Sequence, residues 1–201
     1  MKKYELVTEL SKEFLGRTLF RIRALVSFGE VEAGVLGGYV EKEENLSHCD
    51  NAWVFGNAQV YGDARVSSNA LVSGNAQVCG NAQVCGDAQV FGDAQVFGNA
   101  QVCGAARVFG DARVFGDAQV FGNARVFGNA HYITVGPIDS EGGILTAFRQ
   151  ADNSILITWG CFRGTIEEFV EAVINRHGET HYAAEYGIVI KLIETRLAEI
   201  D

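Results

Sequence analysis

Four histidines and five cysteines are the first residues of this chain to consider as bases, nucleophiles or metal ligands. Cys161 and His177 could form a nucleophile and its base, because a thiol is activated by a neighbouring imidazole. A cysteine that follows Trp-Gly at a strand end is more often a packing residue, and a histidine at the end of a helix is favoured by the helix dipole. This pair therefore does not by itself predict an enzyme.

Charge and hydropathy exclude several classes of function. The net charge of −9 divides into −2 over residues 1–50 (7 basic, 9 acidic), −1 over 51–134 (4 and 5) and −6 over 135–201 (5 and 11). No basic stripe is present to neutralise phosphates, so direct nucleic acid binding is not expected. No run of 18 apolar residues predicts a membrane span, and the start MKKYELVTEL lacks the apolar stretch of a signal peptide. We expect a cytoplasmic protein.

A six-residue repeat dominates the middle of the chain. Thirteen consecutive hexads of the pattern Asn/Asp-Ala-x-Val-x-Gly run from Asn51 to Gly128, and a fourteenth begins at Asn129. Alanine and valine point to one side of a strand, and the Gly-Asn or Gly-Asp pair is typical of a turn. A chain that turns at every hexad must coil. Three hexads per coil predict a triangular prism with valine and alanine inside and coils about 4.8 Å apart.

The repeat resembles that of hexapeptide-repeat proteins, which have an aliphatic residue and, four positions later, a small one. The pairs from Val54–Ala58 to Val126–Ala130 follow this rule. The arrays are similar to those of bacterial and phage proteins often labelled putative acyltransferases. Residues 32–54 resemble the lead-in segment of those proteins at Gly37, Gly38, Asn45, Leu46 and Ser47. The resemblance implies a left-handed parallel β-helix.

These features predict a mainly β fold in three parts. Residues 1–33 are expected to form an N-terminal β cap, residues 34–134 the parallel β-helix of 18 residues per coil, and residues 135–201 a small α+β module. The caps are expected because the open ends of a β-helix expose unpaired backbone groups. Pro137, the single proline, marks the second boundary.

The last part reads as two strands followed by two helices. GILTAFR (143–149) and SILITWGCF (154–162) predict strands joined by a polar turn. Thr165 and Glu168 form a capping box, and the helix that follows is expected to end at Gly178. This ββαα tail resembles the C-terminal module of prophage-borne repeat proteins. The matching residues are Gly136, Pro137, Ser140, Thr146, Phe148, Arg149, Gly160, Cys161, Phe162, Gly164, Glu168, Phe169, His177, Gly178, Tyr182 and Tyr186.

The second helix, from about Tyr182 to Ile200, carries an apolar stripe. Such a stripe predicts a homo-oligomer, a dimer or trimer, but it is equally expected if the helix packs on its own strands. Its members are Tyr182, Tyr186, Val189, Ile193, Leu197 and Ile200.

Stacking at 18-residue intervals arranges the outward side chains in rows along the prism. Phenylalanines concentrate in the C-terminal coils, where stacked rings could shield the adjacent turns or pack against a partner. The candidate binding residues are Phe91, Phe97, Phe109, Phe115, Phe121, Phe127, Arg107, Arg113 and Arg125.

The cysteines do not predict a metal site, and no cofactor is expected. Cys79 and Cys85 are one hexad apart and so fall on different faces, whereas a tetrahedral site needs convergent ligands. Cys85 and Cys103 should be stacked neighbours within disulfide reach. The odd number of cysteines favours reduced thiols in a cytosolic setting.

His131 is the best candidate for a general base. The resemblance to hexapeptide acyltransferases implies such a histidine, usually reached by a loop that projects from the coil toward the next subunit. Thirteen uninterrupted hexads contain no such loop. The alternative is that His131, predicted beside Arg113 and Arg125, simply continues a row of polar side chains.

Three functions remain open. The first is a non-catalytic protein that acts through protein–protein contacts, for which the prophage resemblance suggests an antagonist of a host defence protein. The second is a trimeric acyltransferase that uses acetyl-CoA. The third is a structural protein that assembles end to end, against which the predicted caps argue.

Overall fold

A computed structural model of the chain describes residues 2–128 and 130–198. Before the repeat come β1 (Tyr4–Phe14), β2 (Arg17–Ala24), β3 (Leu36–Val40) and a 3-10 turn at Glu43–Asn45. Each of the thirteen described hexads then forms one strand of two residues. These strands are β4 (Trp53–Val54), β5 (Gln59–Val60), β6 (Arg65–Val66), β7 (Leu71–Val72), β8 (Gln77–Val78), β9 (Gln83–Val84), β10 (Gln89–Val90), β11 (Gln95–Val96), β12 (Gln101–Val102), β13 (Arg107–Val108), β14 (Arg113–Val114), β15 (Gln119–Val120) and β16 (Arg125–Val126).

The short strands stack as a parallel β-helix. Val90 of β10 pairs in parallel with Val72 and Val108, which lie 18 residues before and after it. The first face is the sheet β4-β7-β10-β13-β16, the second is β3-β5-β8-β11-β14 and the third is β6-β9-β12-β15. The prediction of three hexads per coil is confirmed.

Alanine and valine fill the inside of the prism. The consensus alanines from Ala52 to Ala124 and the valines from Val54 to Val126 are at most 1% exposed. Glycine occupies most corners, where φ is near +70° and successive coils approach closely; Ser68, with φ of +59°, takes one such position. A Cβ on Gly86 would lie 2.8 Å from the backbone nitrogen of Gly104.

The N-terminal strands cover the first coils. β1 and β2 form an antiparallel hairpin that continues through β3 into the second face of the prism. Trp53, which stands in an outward row, is nevertheless fully buried, with the rings of Tyr4 and Phe28 at 6.1 and 5.3 Å. Tyr61 is covered in the same way by Phe14 at 5.7 Å. The N-terminal strands therefore remove Trp53 and Tyr61 of the outward rows from solvent, whereas Arg65 in the same coil is exposed.

Lys3 caps the open start of the coil. Its side chain is buried, and its ammonium group lies 4.7 Å from the centre of the Phe28 ring. The ammonium donates to the backbone carbonyls of Cys49, Asp50 and Ala52 at 3.3, 3.2 and 2.8 Å. These carbonyls would otherwise be unpaired at the end of the β-helix.

We expect Lys3 to make stability depend on alkaline pH. Burial lowers the pKa of Lys3 to about 8, against the raising effect of the Asp50 charge. The unfolded chain then binds more protons between pH 8 and 10.5, so the free energy of unfolding should rise with pH across that window. Urea denaturation from pH 7 to 10 should show this rise, and Lys3→Met should reduce it. Lys2→Met, at an exposed lysine, is the matched control; an equal effect of both variants would contradict the assignment.

A four-stranded antiparallel sheet and two helices follow the coil. They are β17 (Tyr132–Ile138), β18 (Gly143–Arg149), β19 (Ile155–Trp159), β20 (Phe162–Gly164), α1 (Ile166–His177) and α2 (His181–Arg196). The two predicted strands are present as β18 and β19. The sequence pattern does not predict β17 and β20, so the ββαα prediction contains only two of the four strands of this sheet. The predicted boundary between residues 134 and 135 falls inside β17, and the division into three parts stays a prediction.

Both helices form where the sequence places them. Thr165 Oγ1 accepts a hydrogen bond from the Glu168 backbone N–H, and the Glu168 carboxylate accepts one from the Thr165 backbone N–H. The predicted capping box is therefore confirmed, as is the end of α1 at Gly178. The described part of α2 ends at Arg196, earlier than predicted. Two positions named in the predictions, Ile200 of this helix and Asn129 of the fourteenth hexad, lie outside the described residues. Across residues 2–128 and 130–198, neither helix has the length and apolar content that crossing a membrane requires.

The C-terminal sheet closes the far end of the prism. Phe148 of β18 is fully buried among the coil valines rather than in the core of its own module. The Gln119 N–H donates to Thr146 Oγ1 at 3.1 Å, and Thr158 Oγ1 donates to the Gln119 carbonyl at 3.1 Å. The sheet thus satisfies backbone groups that the last coils leave unpaired.

Candidate functional site

The candidate binding residues fall on three different faces of the prism. Phe91, Phe109 and Phe127 stack along the first face, with ring centres 4.9 and 5.5 Å apart; we call them the Phe109 row. Phe97 and Phe115 stack at 5.2 Å on a second face and form the Phe115 row. Phe121 lies on the third face and cannot share a flat contact with both rows.

The rings are shielded except at the C-terminal end of the coil. Phe91, Phe97 and Phe109 are half-buried between their neighbours, as expected if stacked rings cover the adjacent turns. Phe115 and Phe127, the last phenylalanines of their rows, are 51% and 50% exposed. The shielding of adjacent turns therefore fits the inner rings of each row, and packing against a partner fits the exposed rings at the end.

Arginines reach across the rings from the next coil. The Arg107 guanidinium lies 5.4 Å from the centre of Phe91, and that of Arg113 lies 5.9 Å from Phe97. Arg125 is exposed and pairs in register with Arg107 on the first face. Two like charges in register repel each other. An acidic group of a partner, placed between these two arginines, would reduce that repulsion.

A groove runs between the Phe115 row and the C-terminal sheet. Its volume is about 510 Å³. β17 contributes one wall and α2 contributes an arginine at the edge, so the groove exists only where coil and module meet. The lining residues are Phe97, Arg113, Phe115, Tyr132, Ile133, Thr134 and Arg196.

His131 does not take the place that the repeat predicts for it. The row from Gln59 to Arg113 ends at β14, because the following strand β17 pairs with β18 and not with the coil. The imidazole instead lies 3.6 Å from the Phe127 ring, with Nδ1 3.3 Å from the Gly128 carbonyl oxygen. Burial lowers its pKa, opposed by that carbonyl and assisted by the charge of Arg149.

The apolar stripe predicted on α2 packs inside its own module. This is the second of the two roles predicted for it, packing on its own strands. Tyr186, Val189, Ile193 and Leu197 are at most 6% exposed and share one core with the sheet and α1. Tyr182 is partly exposed beside His181. The oligomeric state itself stays a prediction.

The cysteines correct one expectation. Cys85 and Cys103 form a disulfide with their Cα atoms 4.6 Å apart, so their predicted stacking is confirmed, whereas the prediction that all thiols are reduced is wrong for this pair. Cys49, Cys79 and Cys161 are free. Cys161 and His177, the pair considered above as a nucleophile and its base, line one cavity of the C-terminal module. Within residues 2–128 and 130–198, no group of three or more His, Cys, Asp or Glu side chains could hold a metal ion.

Comparison with known proteins finds a similar repeat. The family model described as the YdcK beta solenoid repeat matches residues 58–74, 64–80, 106–120 and 118–131. These segments lie in the early and late coils of the prism. A search of curated proteins finds no match to the chain. The similarity thus agrees with the hexapeptide-repeat β-helix that the structure contains.

Proposed function

We propose that this β-solenoid repeat scaffold is a non-catalytic protein that binds another protein through the C-terminal coils of the prism. The single observation that carries the proposal is the exposure of Phe115 and Phe127 at the ends of two rigid aromatic rows. Exposed aromatic rings beside arginines are the composition of energetically dominant interface sites.

The rigidity of the coil supports this role. Each row is held by backbone hydrogen bonds between coils, such as Phe97 N–H to the Val114 carbonyl at 3.0 Å. Side chains that are ordered before binding lose little conformational entropy in the complex. The closed ends, plugged by Trp53 at one end and Phe148 at the other, favour a discrete binding protein over end-to-end assembly.

Charge indicates the kind of partner. Arg107 and Arg125 in register, next to the Phe109 row, fit a segment that presents acidic and apolar side chains together. On the resemblance to prophage-borne repeat proteins, the proposed partner class is a defence protein of a bacterial host, met in the host cytoplasm. Self-association is part of the proposal, since Ile188 and Leu192 expose 73% and 47% of their surface on the outer side of α2.

Charge reversal tests the surface. Arg107→Glu with Arg125→Glu should reduce, at least tenfold, the amount of partner captured from a lysate of the native host, measured by quantitative mass spectrometry, because the partner's acidic groups would face like charge. Arg65→Glu with Gln83→Glu is the matched control, since these residues are also in register but on the third face. Equal capture by both double variants would contradict the proposed surface.

Calorimetry with acetyl-CoA separates the proposal from the enzymatic alternative. A non-catalytic binding protein should release no binding heat with acetyl-CoA. Binding that is lost on His131→Ala would favour an acyltransferase and would contradict the proposal.

A further inference from the structure

The helix α2 has a second apolar face, turned away from its own module. Ile188 and Leu192 lie one turn apart on this face and expose 73% and 47% of their surface. Ala184 and Thr195 continue the same stripe at helical spacing and are exposed as well. We call these four residues the outer face of α2. The other side of the helix packs on the sheet and α1, so the outer face is not part of that core.

A glycine in the middle of α2 also faces solvent. Gly187 is exposed, and a Cβ there would meet no atom within 4 Å. Glycine in a helix interior is less favourable than alanine by about 1 kcal/mol, and no contact in the described part of the chain requires it. A position without a side chain does allow the backbone of a second helix to approach closely.

The charges of α2 favour pairing with a copy of itself. Residues 135–201 carry a net charge of −6, which makes two such modules repel each other. The helix α2 is the exception, because Glu185 and Glu194 are balanced by Lys191 and Arg196. The outer face can therefore meet its own copy without an excess of like charge.

Glu185 and Arg196 are placed to form two ion pairs across a twofold axis. They are eleven residues, about three helical turns, apart, so both lie on the side of α2 that carries Leu192. A twofold axis makes every contact occur twice, so all contacts of an antiparallel helix pair share one midpoint. The midpoint of Ile188 and Leu192 is residue 190, and that of Glu185 and Arg196 falls between residues 190 and 191. One axis thus serves both the apolar and the charged contacts.

We propose that the outer face of α2 packs in antiparallel orientation on the outer face of a second copy of this chain, with Ile188 against Leu192 and Glu185 beside Arg196 of the other copy. Near the axis, each Lys191 has Glu194 one turn away on its own helix, which balances the charge there. The inference rests on the self-association included in the proposed function and not on the coil surface. Such a dimer presents that coil surface twice, so a partner with two equivalent sites would be bound with avidity.

Sedimentation velocity tests the dimer. The interface is at the small end of the range for specific association, so we expect a dissociation constant of about 10 μM, measured at concentrations on both sides of that value. Ile188→Glu should abolish dimerisation, because it would bury a carboxylate against Leu192 of the second copy without a counterion. Leu15→Glu is the matched control: this leucine is 76% exposed in the β1–β2 turn, and the variant should dimerise as the unmodified protein does.

Charge reversal tests the antiparallel orientation. Glu185→Arg or Arg196→Glu alone replaces both attractive pairs by repulsive ones and should weaken association about tenfold, and the double variant should recover it to within about twofold. Near-UV circular dichroism establishes that each variant folds. A monomeric unmodified protein, undiminished association of Ile188→Glu, or no recovery in the double variant would overturn the inference.

A different occupant of the outer face is distinguished in the same series. If the unmodified protein is a monomer and Ile188→Glu loses a protein that the unmodified chain captures from host lysate, the face belongs to that protein and the dimer is contradicted. Capture that depends on Arg107 and Arg125 is a separate measurement, so failure of the dimer leaves the proposed function standing.

Discussion

Phe148→Ala should lower the free energy of unfolding by about 3–5 kcal/mol, the range for truncating a fully buried phenylalanine. The ring belongs to the C-terminal sheet but packs among the valines of the coil, with none of its surface exposed. Its removal would leave a cavity and open the end of the prism to water. Urea denaturation followed by circular dichroism measures the loss.

The control for this prediction is Phe115→Ala, at a ring that is 51% exposed. Only part of its apolar surface is removed from water on folding, so we expect a loss of about 1 kcal/mol. Similar losses for the two variants would mean that Phe148 does not plug the coil.

Gly86→Ala should destabilise the protein by about 3 kcal/mol or more. Its φ of +70° is unfavourable for alanine by roughly 1–2 kcal/mol. In addition, the new Cβ would lie 2.8 Å from the backbone nitrogen of Gly104 in the next coil, and this backbone cannot move without breaking the stack. The change in urea midpoint at constant slope gives the measurement.

Gly116→Ala isolates the contribution of stacking. Gly116 has nearly the same φ, +67°, but a Cβ there would meet no atom within 4 Å. Only the backbone strain of roughly 1–2 kcal/mol remains. If both substitutions lowered the free energy of unfolding by the same amount, the contact between successive coils at Gly86 would contribute nothing, which would contradict the prediction.

The fold of the repeat could be predicted because each hexad determines both which side chains point inward and where the chain changes direction. Alanine and valine at fixed spacing can be buried together only inside a coil, and the observed pairing of Val90 with Val108 follows directly. The capping box of α1 was also readable, because Thr165 and Glu168 interact within one helical turn.

Other features depend on contacts between distant segments and have no local pattern. The burial of Trp53 results from the hairpin β1–β2, which the repeat does not encode. The departure of His131 from its row results from the pairing of β17 with β18.

The same reasoning applies to the candidate sites. The aromatic rows follow from the 18-residue period, so Phe109 and Phe115 could be placed from the sequence. The groove beside Phe115 requires a wall from β17, and the cavity lined by Cys161 and His177 requires two helices to meet a sheet. Neither can be read from residue spacing.

The three faces, the aromatic rows and the proposed binding surface depend on a coil that closes after three hexads, and disulfide mapping tests that closure most directly. After mild oxidation, cleavage before Asp87, Asp93 and Asp111 separates a segment with Cys79 and Cys85 from one with Cys103. We predict that tandem mass spectrometry finds the segments joined through Cys85 and Cys103, with Cys79 free. A bond between Cys79 and Cys85, with Cys103 unlinked, would contradict the prism and the aromatic rows derived from it.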